Sequence, residues 1–342
     1  MDDRGTREPV NRFLVGLDIG GSHTRGVLFR GDSPVREARS GSANVQNVSR
    51  ERAAQSLREI FARLEPPPGT TVLAGAGGVD TPHDAAALTQ LIRSVAEAAA
   101  GAGPAPGVFS AADGHPAPDA YPASETPVIA VHDTRLILAA GGHTEGIAVI
   151  AGTGSVAWGV NASGHGTRAG GWGYLLGDEG SGYWLGREAV RHVLRDAQHR
   201  GASDVTPAED DRFARAVLGH AGVDTPTELI AAFHDRPDRT HWAGLARTVI
   251  ELAPHDDAAR ELVSAAAAHL VELIITVARN LGEPLPVVMG GGLATTSVGV
   301  ELRERLGDHG LRVTLLDREP VLGAPLLARA TGLWDGRAGR AG

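Results

Sequence analysis

Asp18 and the turn that follows it are the first residues whose types and spacing suggest chemistry. An apolar run predicts a buried strand over 13–18, and a second strand is predicted over 25–30. Glycine lets backbone N–H groups approach an anion closely, and hydroxyl side chains add further donors. The carboxylate of Asp18 is placed to hold a hydrated Mg²⁺, although a plain β-hairpin explains the same stretch equally well. The candidate phosphate contacts in this turn are Gly20, Gly21, Ser22 and Thr24.

A second copy of this plan begins near residue 147. An apolar strand, a Gly-Thr-Gly-Ser turn and another apolar strand follow one another over 147–160. The candidate phosphate contacts in this second turn are Thr153, Gly154 and Ser155. Two such hairpins, one opening each half of the chain, indicate duplicated domains that face one nucleotide.

Asp133 lies between a strand predicted over 128–132 and a helix predicted over 134–140. Ligands of α/β sheets bind at the carboxyl ends of the strands, so Asp133 is a candidate general base. An Asp between a strand and a helix is also a favoured N-cap residue, which is a purely structural alternative.

The stretch 168–184 has the most distinctive composition in the chain. It contains six glycines, two acidic residues and four aromatic residues, which is typical of neither a core helix nor a core strand. Flexible backbone beside carboxylates and flat apolar rings suits a sugar, because sugar hydroxyls bind carboxylates. The alternative is a glycine-rich turn in which Ser181 caps the following helix.

Two further loops hold candidate ligand contacts. Asn44 follows a strand predicted over 34–40, where its amide would donate and accept hydrogen bonds near a ligand, or would simply stabilise a turn. A glycine triplet follows another predicted strand, over 287–289, and would let an adenine and its ribose lie against the backbone. The alternative for the triplet is a strand-to-helix turn. Its members are Gly290, Gly291 and Gly292.

The composition excludes several classes of protein. All 32 basic residues are Arg, so the chain lacks the Lys on which P-loop nucleotidases, protein kinases and pyridoxal enzymes depend. The absence of Cys excludes disulfides, thiol catalysis and iron–sulfur clusters. A net charge of -9 argues against a nucleic-acid partner. None of the 14 His falls in a zinc-binding spacing.

The expected location is the cytoplasm. The first 11 residues have no apolar core of a signal peptide, and no apolar stretch approaches the roughly 18 residues that a membrane span needs. A membrane partner is therefore not expected.

The motifs together resemble those of the superfamily of actin, hexokinase and heat-shock ATPases. Asp18-Ile-Gly-Gly-Ser-His-Thr is similar to its first phosphate motif, Ala151-Gly-Thr-Gly-Ser to the second, and Val288-Met-Gly-Gly-Gly to the adenosine motif. The run that begins at Gly170 resembles the N-acetylglucosamine kinase branch, which is grouped with the BadF/BadG-type ATPases. The resemblance covers about residues 13–333. It implies an α/β chain with two ribonuclease-H-like, actin-like ATPase domains and a nucleotide cleft between them.

Carried over residue by residue, the resemblance implies an ATP-dependent amino-sugar kinase. Asp18 would organise Mg²⁺, the two turns would hold the phosphates of ATP, and the glycine triplet would hold the adenosine. Asp133 would take the proton from the sugar hydroxyl, which in this family is the 6-hydroxyl. The resemblance also implies a homodimer. The implied sugar contacts are Asn44, Gly170, Gly171 and Asp178.

The expected domain organisation follows from the same resemblance. The N-terminal domain is expected over 13–133 and the C-terminal domain over 134–334, with a helical insertion in the second. The last helix is expected to pack back on the N-terminal domain. Short disordered tails are expected at 1–12 and 335–342, and the segment 101–127 is rich in Pro, Ala and Gly with one short strand near Val108.

Other members of the superfamily give the alternatives. Activators of 2-hydroxyacyl-CoA dehydratases need Cys for an iron–sulfur cluster, and this chain has none. A sugar-responsive repressor would need a DNA-binding extension, and about 12 residues precede the first predicted strand. A nucleotide-binding module without kinase turnover remains an open alternative.

Two positions depart from the family: His132 stands where Asn is more frequent, and Val156 stands where animal N-acetylglucosamine kinases have Asn. The choice among glucosamine, N-acetylglucosamine, N-acetylmuramic acid and another hexose is open.

Overall fold

The computed structural model describes residues 13–79, 81–101, 126–235 and 238–334. The expectations for both tails and for a strand near Val108 concern residues outside these ranges. The contacts divide the chain into two compact units. The first runs to Thr144 and resumes at Arg318, and the second is Glu145–Asp317.

The first unit is a five-stranded mixed sheet with helices on both faces. Its strand order is β3-β2-β1-β4-β5, with the first three strands antiparallel to one another and the last two parallel to β1. The elements are β1 (Phe13–Ile19), β2 (His23–Arg30), β3 (Ser33–Gly41), α1 (Arg50–Leu64), β4 (Thr71–Ala76), α2 (Pro82–Gly101), β5 (Val128–His132) and α3 (Thr134–Ala140).

Strand β1 is buried on both faces, which explains its nearly continuous apolar sequence. Val15, Leu17 and Ile19 belong to a core that includes residues of α1 and α2. Leu14 belongs to a second core on the opposite face, which includes residues of α3 and of the C-terminal segment. That segment consists of a 3₁₀ helix (Pro320–Gly323) and the last helix of the chain's described part (Ala324–Ala330), which is α10 in chain order.

The C-terminal segment packs on the sheet of the first unit because β1 offers it a glycine. A Cβ on Gly16 would lie 2.7 Å from Cβ of Ala324. Arg25 of β2 forms ion pairs with Glu37 of β3 and with Glu319, which immediately precedes the 3₁₀ helix. Helix α3 also contacts this segment, so the contacts assign α3 to the first unit, whereas the sequence expectation began the second domain at residue 134.

The second unit repeats the sheet topology of the first. Read from the same end as the first sheet, its order is β8-β7-β6-β9-β10. Strands β8, β7 and β6 are antiparallel to one another, and β9 and β10 are parallel to β6. The elements from β6 onward are β6 (Gly146–Ala151), β7 (Ser155–Val160), β8 (Gly166–Gly170), α4 (Gly182–Arg200), α5 (Arg212–Ala221), α6 (Glu228–Asp235), α7 (Arg239–Leu252), α8 (Asp257–Leu281), β9 (Val287–Gly290), α9 (Ser297–Asp308), β10 (Val313–Leu315) and, in the first unit, α10 (Ala324–Ala330).

The repeated topology confirms the predicted α/β fold and its duplication. One detail of the sequence analysis is wrong: residues 168–170 complete strand β8 and are not irregular. They pair with β7 as the third strand of the meander, and Ala169 is buried there. The glycines of this stretch concealed the strand, because glycine weakens every strand signal in a sequence.

Helix α8 is, within the described ranges, the one helix long and apolar enough by length and composition to cross a membrane. Its buried residues recur every three or four positions and belong to the core of the second unit. This pattern is that of a helix with one face in a protein core.

Candidate active site

Asp18 lies near the carboxyl end of β1, paired with Arg25 of β2 and with Gly75 of β4. The pKa of Asp18 is raised to about 7, chiefly by burial and then by the carboxylates of Asp133 and Glu319, while Arg25 acts in the opposite direction. The acidic groups here therefore have too little positive charge around them. A divalent cation held by carboxylate oxygens fits that deficit.

A metal cage built from the protein alone is not present within the described ranges, where no group of three or more His, Cys, Asp or Glu side chains is arranged to hold an ion. Magnesium does not require one. It usually binds through one or two carboxylates together with phosphate oxygens and water. The residues around Asp18 fit that mode of binding.

The turn after β1 is closed by a hydrogen bond from the N–H of Gly20 to the carbonyl oxygen of His23, at 3.0 Å. Gly21 and Ser22 are exposed at its tip. A Cβ on Gly21 would lie 2.8 Å from Nδ2 of Asn47, so a side chain at that position would displace the Asn47 amide. Exposed N–H and hydroxyl groups at the end of β1 are available to an anion.

Thr24, in contrast, is fully buried. Its Oγ1 accepts a hydrogen bond from the N–H of Ala43 at 2.9 Å, and Oγ of the neighbouring Ser42 donates to the carbonyl oxygen of Gly20 at 2.8 Å. The hydroxyl of Thr24 thus joins β2 to the loop after β3, on the inner side of the turn.

Asn44 joins two loops of the first unit. Its Nδ2 donates to the carbonyl oxygen of Gly77 at 3.0 Å, and its Oδ1 accepts from the N–H of Gln46 at 2.9 Å. The side chain is 7% exposed. An amide group has a second N–H and a second acceptor lone pair, which these two bonds leave available to a ligand.

Asp133 directly follows β5 and occupies the N-cap position of α3, but its side chain makes no capping hydrogen bond. Its backbone N–H donates to the carbonyl oxygen of Ala76. Oδ1 lies 3.1 Å from Nδ1 of His132 and yet accepts no hydrogen bond within the described part of the chain. Nδ1 of His132 instead lies 2.7 Å from Oγ1 of Thr134. The capping role, which was the structural alternative, is not seen for this side chain.

Gly77 brings Asp133 and Asn44 together, and the sequence analysis missed it. A Cβ on Gly77 would lie 3.3 Å from Oδ2 of Asp133 and 3.6 Å from Nδ2 of Asn44. The available signal was the pair of glycines, Gly77 and Gly78, that directly follows β4. A strand that ends in glycines beside a sheet's carboxyl edge leaves space for a ligand.

In the second unit, the turn after β6 and the glycine-rich loop after β8 form one hydrogen-bonded structure. Oγ of Ser155 donates to the carbonyl oxygen of Glu179 at 2.7 Å, and the N–H of Gly171 donates to the carbonyl oxygen of Ser155 at 3.2 Å. The N–H of Tyr183 donates to the carbonyl oxygen of Thr153. The hydroxyl of Ser155 is therefore engaged within the protein.

Asp178 is the carboxylate at the centre of this structure. It is 5% exposed and has a left-handed backbone with φ of 61°, a conformation that few residues other than Gly, Asn and Asp adopt. Its carboxylate faces Gly154, where a Cβ would lie 2.7 Å from Oδ2. Burial raises the pKa of Asp178, while the backbone N–H of Ser155 and the charge of Arg239 lower it.

The two glycines before the loop turn the chain out of β8. Gly170 and Gly171 both have φ of 72°. A Cβ on Gly170 would contact Leu273 of α8 at 3.0 Å, and one on Gly171 would lie 2.9 Å from Cγ2 of Val156. Val156, the residue at which this chain departs from animal N-acetylglucosamine kinases, thus supports the start of the glycine-rich loop.

The glycine triplet lies at the same end of the second sheet as the Gly-Thr-Gly-Ser turn. Gly290 ends β9 opposite Ile150 of β6. Gly291 has φ of 93°, and a Cβ on it would lie 2.4 Å from the carbonyl oxygen of Ala151. Only glycine permits this approach of two backbones. Gly292 is exposed beside them.

Within the first unit the structure thus gathers Asp18, Asp133 and Asn44 at the carboxyl edge of the sheet, with the Gly20 turn beside Asp18. Within the second it gathers Asp178, the Gly-Thr-Gly-Ser turn and the glycine triplet. Ser181 also performs its structural role, since Oγ accepts from the N–H of Trp184 at 3.1 Å and caps α4.

Comparison with known proteins gives a family and several relatives. The profile described as the BadF/BadG/BcrA/BcrD ATPase family matches residues 15–328. An N-acetylmuramic acid/N-acetylglucosamine kinase of Clostridium acetobutylicum is 29% identical over 202 residues, which are 57% of this chain and 57% of that protein. An N-acetyl-D-glucosamine kinase of Dictyostelium discoideum is 30% identical over 213 residues, 58% of this chain and 64% of that protein.

A solved structure from Chromobacterium violaceum, provisionally described as an N-acetylglucosamine kinase, has a TM-score of 0.60 and 26% identity to this chain. The superposition covers 93% of this chain and 99% of that one. The two sequence matches, to the Clostridium and Dictyostelium kinases, each span less than two thirds of that relative's own length.

Proposed function

This chain belongs to the BadF/BadG/BcrA/BcrD ATPase family, and on that basis we propose that it is an ATP-dependent amino-sugar kinase. The family implies ATP as the nucleotide. Two relatives named as kinases of N-acetylglucosamine, one of them also of N-acetylmuramic acid, support a sugar as the acceptor.

The observation that carries this proposal is the state of Asp133. Its carboxylate makes no cap bond to α3, has an oxygen without a hydrogen bond in the described chain, and faces Gly77, where no side chain fills the space. A carboxylate that caps no helix and has an oxygen without a hydrogen bond, at the carboxyl edge of an α/β sheet, is well placed to accept a proton from a ligand hydroxyl. We assign it the role of general base toward the 6-hydroxyl of the sugar.

Asp18 is proposed to hold Mg²⁺. The bound ion would neutralise charge on the phosphates during transfer. The exposed N–H groups of Gly21 and Ser22 would contact phosphate oxygens in the first unit, and Thr24 would fix the turn from behind. In the second unit, Thr153 and Gly154 would contact phosphates and the glycine triplet would contact the adenosine.

Asn44 and Asp178 are proposed to bind sugar hydroxyls. Asn44 keeps unused hydrogen-bonding capacity, and Asp178 is a buried carboxylate in a left-handed backbone conformation. Left-handed residues other than glycine cluster at ligand sites, where the surrounding structure maintains them. Gly170 and Gly171 would shape the loop rather than bind through side chains.

The first test is release of ADP from Mg·ATP with glucosamine, N-acetylglucosamine, N-acetylmuramic acid, glucose and no sugar. Turnover that depends on an amino sugar supports the kinase. Equal release with every sugar and with none contradicts it and supports a nucleotide-hydrolysing module, the alternative that the family allows.

The second test is Asp133→Asn. As a general base, Asp133 contributes on the order of 10²–10⁴-fold, so kcat should fall by about that factor while ATP binding and the unfolding midpoint stay unchanged. Asp308→Asn, an exposed change of the same charge at the end of α9, is the control and should be silent. Retained activity in Asp133→Asn would reduce Asp133 to a structural residue.

A further inference from the structure

Arg239, the first residue of α7, is held beside the glycine-rich loop by the packing of two helices. Helix α7 lies so close to α4 that a Cβ on Gly186 would come within 2.0 Å of the carbonyl oxygen of Trp242. A Cβ on Gly182 would lie 3.4 Å from the carbonyl oxygen of Ala243. Because Gly182 begins α4 just after Asp178, this contact fixes the first turn of α7 at the loop that carries Asp178.

The guanidinium of Arg239 is directed at that loop. Its carbon lies 5.8 Å from the ring centroid of Tyr174, in a cation–π contact, and Tyr174 packs edge-on against Tyr183 at 5.2 Å. Tyr183 is in turn bonded to the Gly-Thr-Gly-Ser turn through its backbone N–H. The ring stack therefore sets the position of the cation with respect to both parts of the second unit's site.

Arg239 has no carboxylate partner within the described residues, although its charge acts on Asp178 and lowers that residue's pKa. Other arginines on the helices of this unit do have acidic partners: Arg191 and Arg195 pair with Glu188, and Arg200 with Asp196. A planar fork of donors held beside a ring and without an ion-pair partner in the described chain is suited to a carboxylate or phosphate.

We propose that Arg239 is a specificity-determining residue that binds a carboxylate substituent of the sugar, so that the preferred substrate class is an acidic amino sugar such as N-acetylmuramic acid. This inference rests on the proposed kinase function. Asp178 would bind hydroxyls of the sugar ring, and Arg239, which contacts Tyr174 of the same loop, would bind the acidic side group. The cation would also offset the repulsion between that group and the carboxylate of Asp178.

The experiment compares wild type with Arg239→Gln and Arg239→Lys on N-acetylmuramic acid and on neutral N-acetylglucosamine. Arg247→Gln is the matched control, because Arg247 is an exposed arginine on the same helix. In Arg239→Gln, kcat/KM for the acidic sugar should fall roughly tenfold or more, the size expected for one charge-assisted hydrogen-bonded contact. The value for the neutral sugar should change less than about twofold, and Arg239→Lys should restore only part of the loss.

Sugar binding without ATP, measured by calorimetry, gives a readout that does not depend on turnover. The Kd of the acidic sugar should rise with ionic strength in wild type but not in Arg239→Gln, since salt screens the ion pair. An equal fall for both sugars in Arg239→Gln would overturn the proposal and indicate a contact with the transferred phosphoryl group or a packing role. Turnover with neither sugar in wild type would instead refute the proposed function itself.

Discussion

Gly154 is the residue on which the position of Asp178 depends. Its backbone needs no left-handed conformation, so Gly154→Ala introduces only a methyl group, 2.7 Å from the Asp178 carboxylate. We expect the carboxylate to be displaced, with a rise in the sugar KM of about tenfold or more and a loss of about 1–3 kcal/mol in the free energy of unfolding. Steady-state kinetics and urea unfolding measure the two effects.

The matched control for that variant is Gly219→Ala. Gly219 lies inside α5 with no atom near the added methyl, so this change should raise stability by about 0.5–1 kcal/mol and leave KM unaltered. Unchanged sugar kinetics in Gly154→Ala would show that Asp178 does not contact the substrate.

Asp18 makes the stability of the metal-free protein depend on pH. Its pKa is raised to about 7 in the folded chain, against about 3.9 when unfolded, so between these values the folded state binds the extra proton. Stability should therefore fall as pH rises from 4 to 7, by up to about 4 kcal/mol at about 1.4 kcal/mol for each unit of the pKa difference.

Asp18→Asn should remove that loss and be more stable than wild type at pH 8. Urea unfolding at pH 5 and pH 8, with a chelator present, measures the difference, and Asp308→Asn serves as the control. If wild type and Asp18→Asn lose the same stability between the two pH values, the carboxylate is not held at a raised pKa.

The sequence identified candidate residues for the site, but it did not predict the directions in which their side chains point. The Thr24 and Ser155 hydroxyls, both expected near phosphates, hydrogen-bond within their own unit. A motif fixes which groups are present, whereas tertiary packing decides which of them point inward. The glycines at 77 and 78 are visible in the sequence, but the position of Gly77 beside Asp133 depends on tertiary packing. The assignment of the site residues stays a prediction.

At the scale of elements, periodic segments were predictable and glycine-rich ones were not. Strands such as β1 and β6 carry continuous apolar runs because both of their faces are covered. Helix α8 shows its core face at regular helical spacing. Strand β8 was missed because it begins and ends with glycine, at Gly166 and Gly170, and is followed by Gly171. Its register also depends on pairing with β7, a contact that the sequence of the strand does not show.

The boundary between the two units differs from the sequence expectation at α3. Its sequence follows the candidate base directly, so the sequence expectation placed it at the start of the second domain. In the structure its apolar face belongs to the core that includes the C-terminal segment, where a Cβ on Gly323 would lie 2.3 Å from the N atom of Ala140. A pairing between elements so distant in sequence cannot be read from local pattern.

At the scale of the whole molecule, the duplication seen as two glycine turns extends to the order and direction of all ten strands. Each apolar core lies within one unit: one core belongs to the second unit and two belong to the first. Because a core is the main source of cooperativity, we expect the two units to respond separately to core mutations.

Gly16→Val and Gly186→Ala test this separation. The first places a side chain against Ala324 in the first unit, and the second places a methyl against the backbone of Trp242 in the second, each at a cost of about 1–3 kcal/mol. In a Trp334→Phe background, fluorescence comes only from the second unit, since the other four tryptophans are Trp158, Trp172, Trp184 and Trp242. Gly186→Ala should lower the unfolding midpoint measured by this fluorescence, and Gly16→Val should leave it unchanged.

Hydrogen exchange gives the complementary measurement for the first unit. Amides of β1 and β4 should exchange faster in Gly16→Val and at the wild-type rate in Gly186→Ala, because local opening reports the stability of the core in which an amide lies. If either substitution shifts both units equally, the chain unfolds as one cooperative body. The two sheets would then share their stability as well as their topology, and a mutation in either core would weaken both units together.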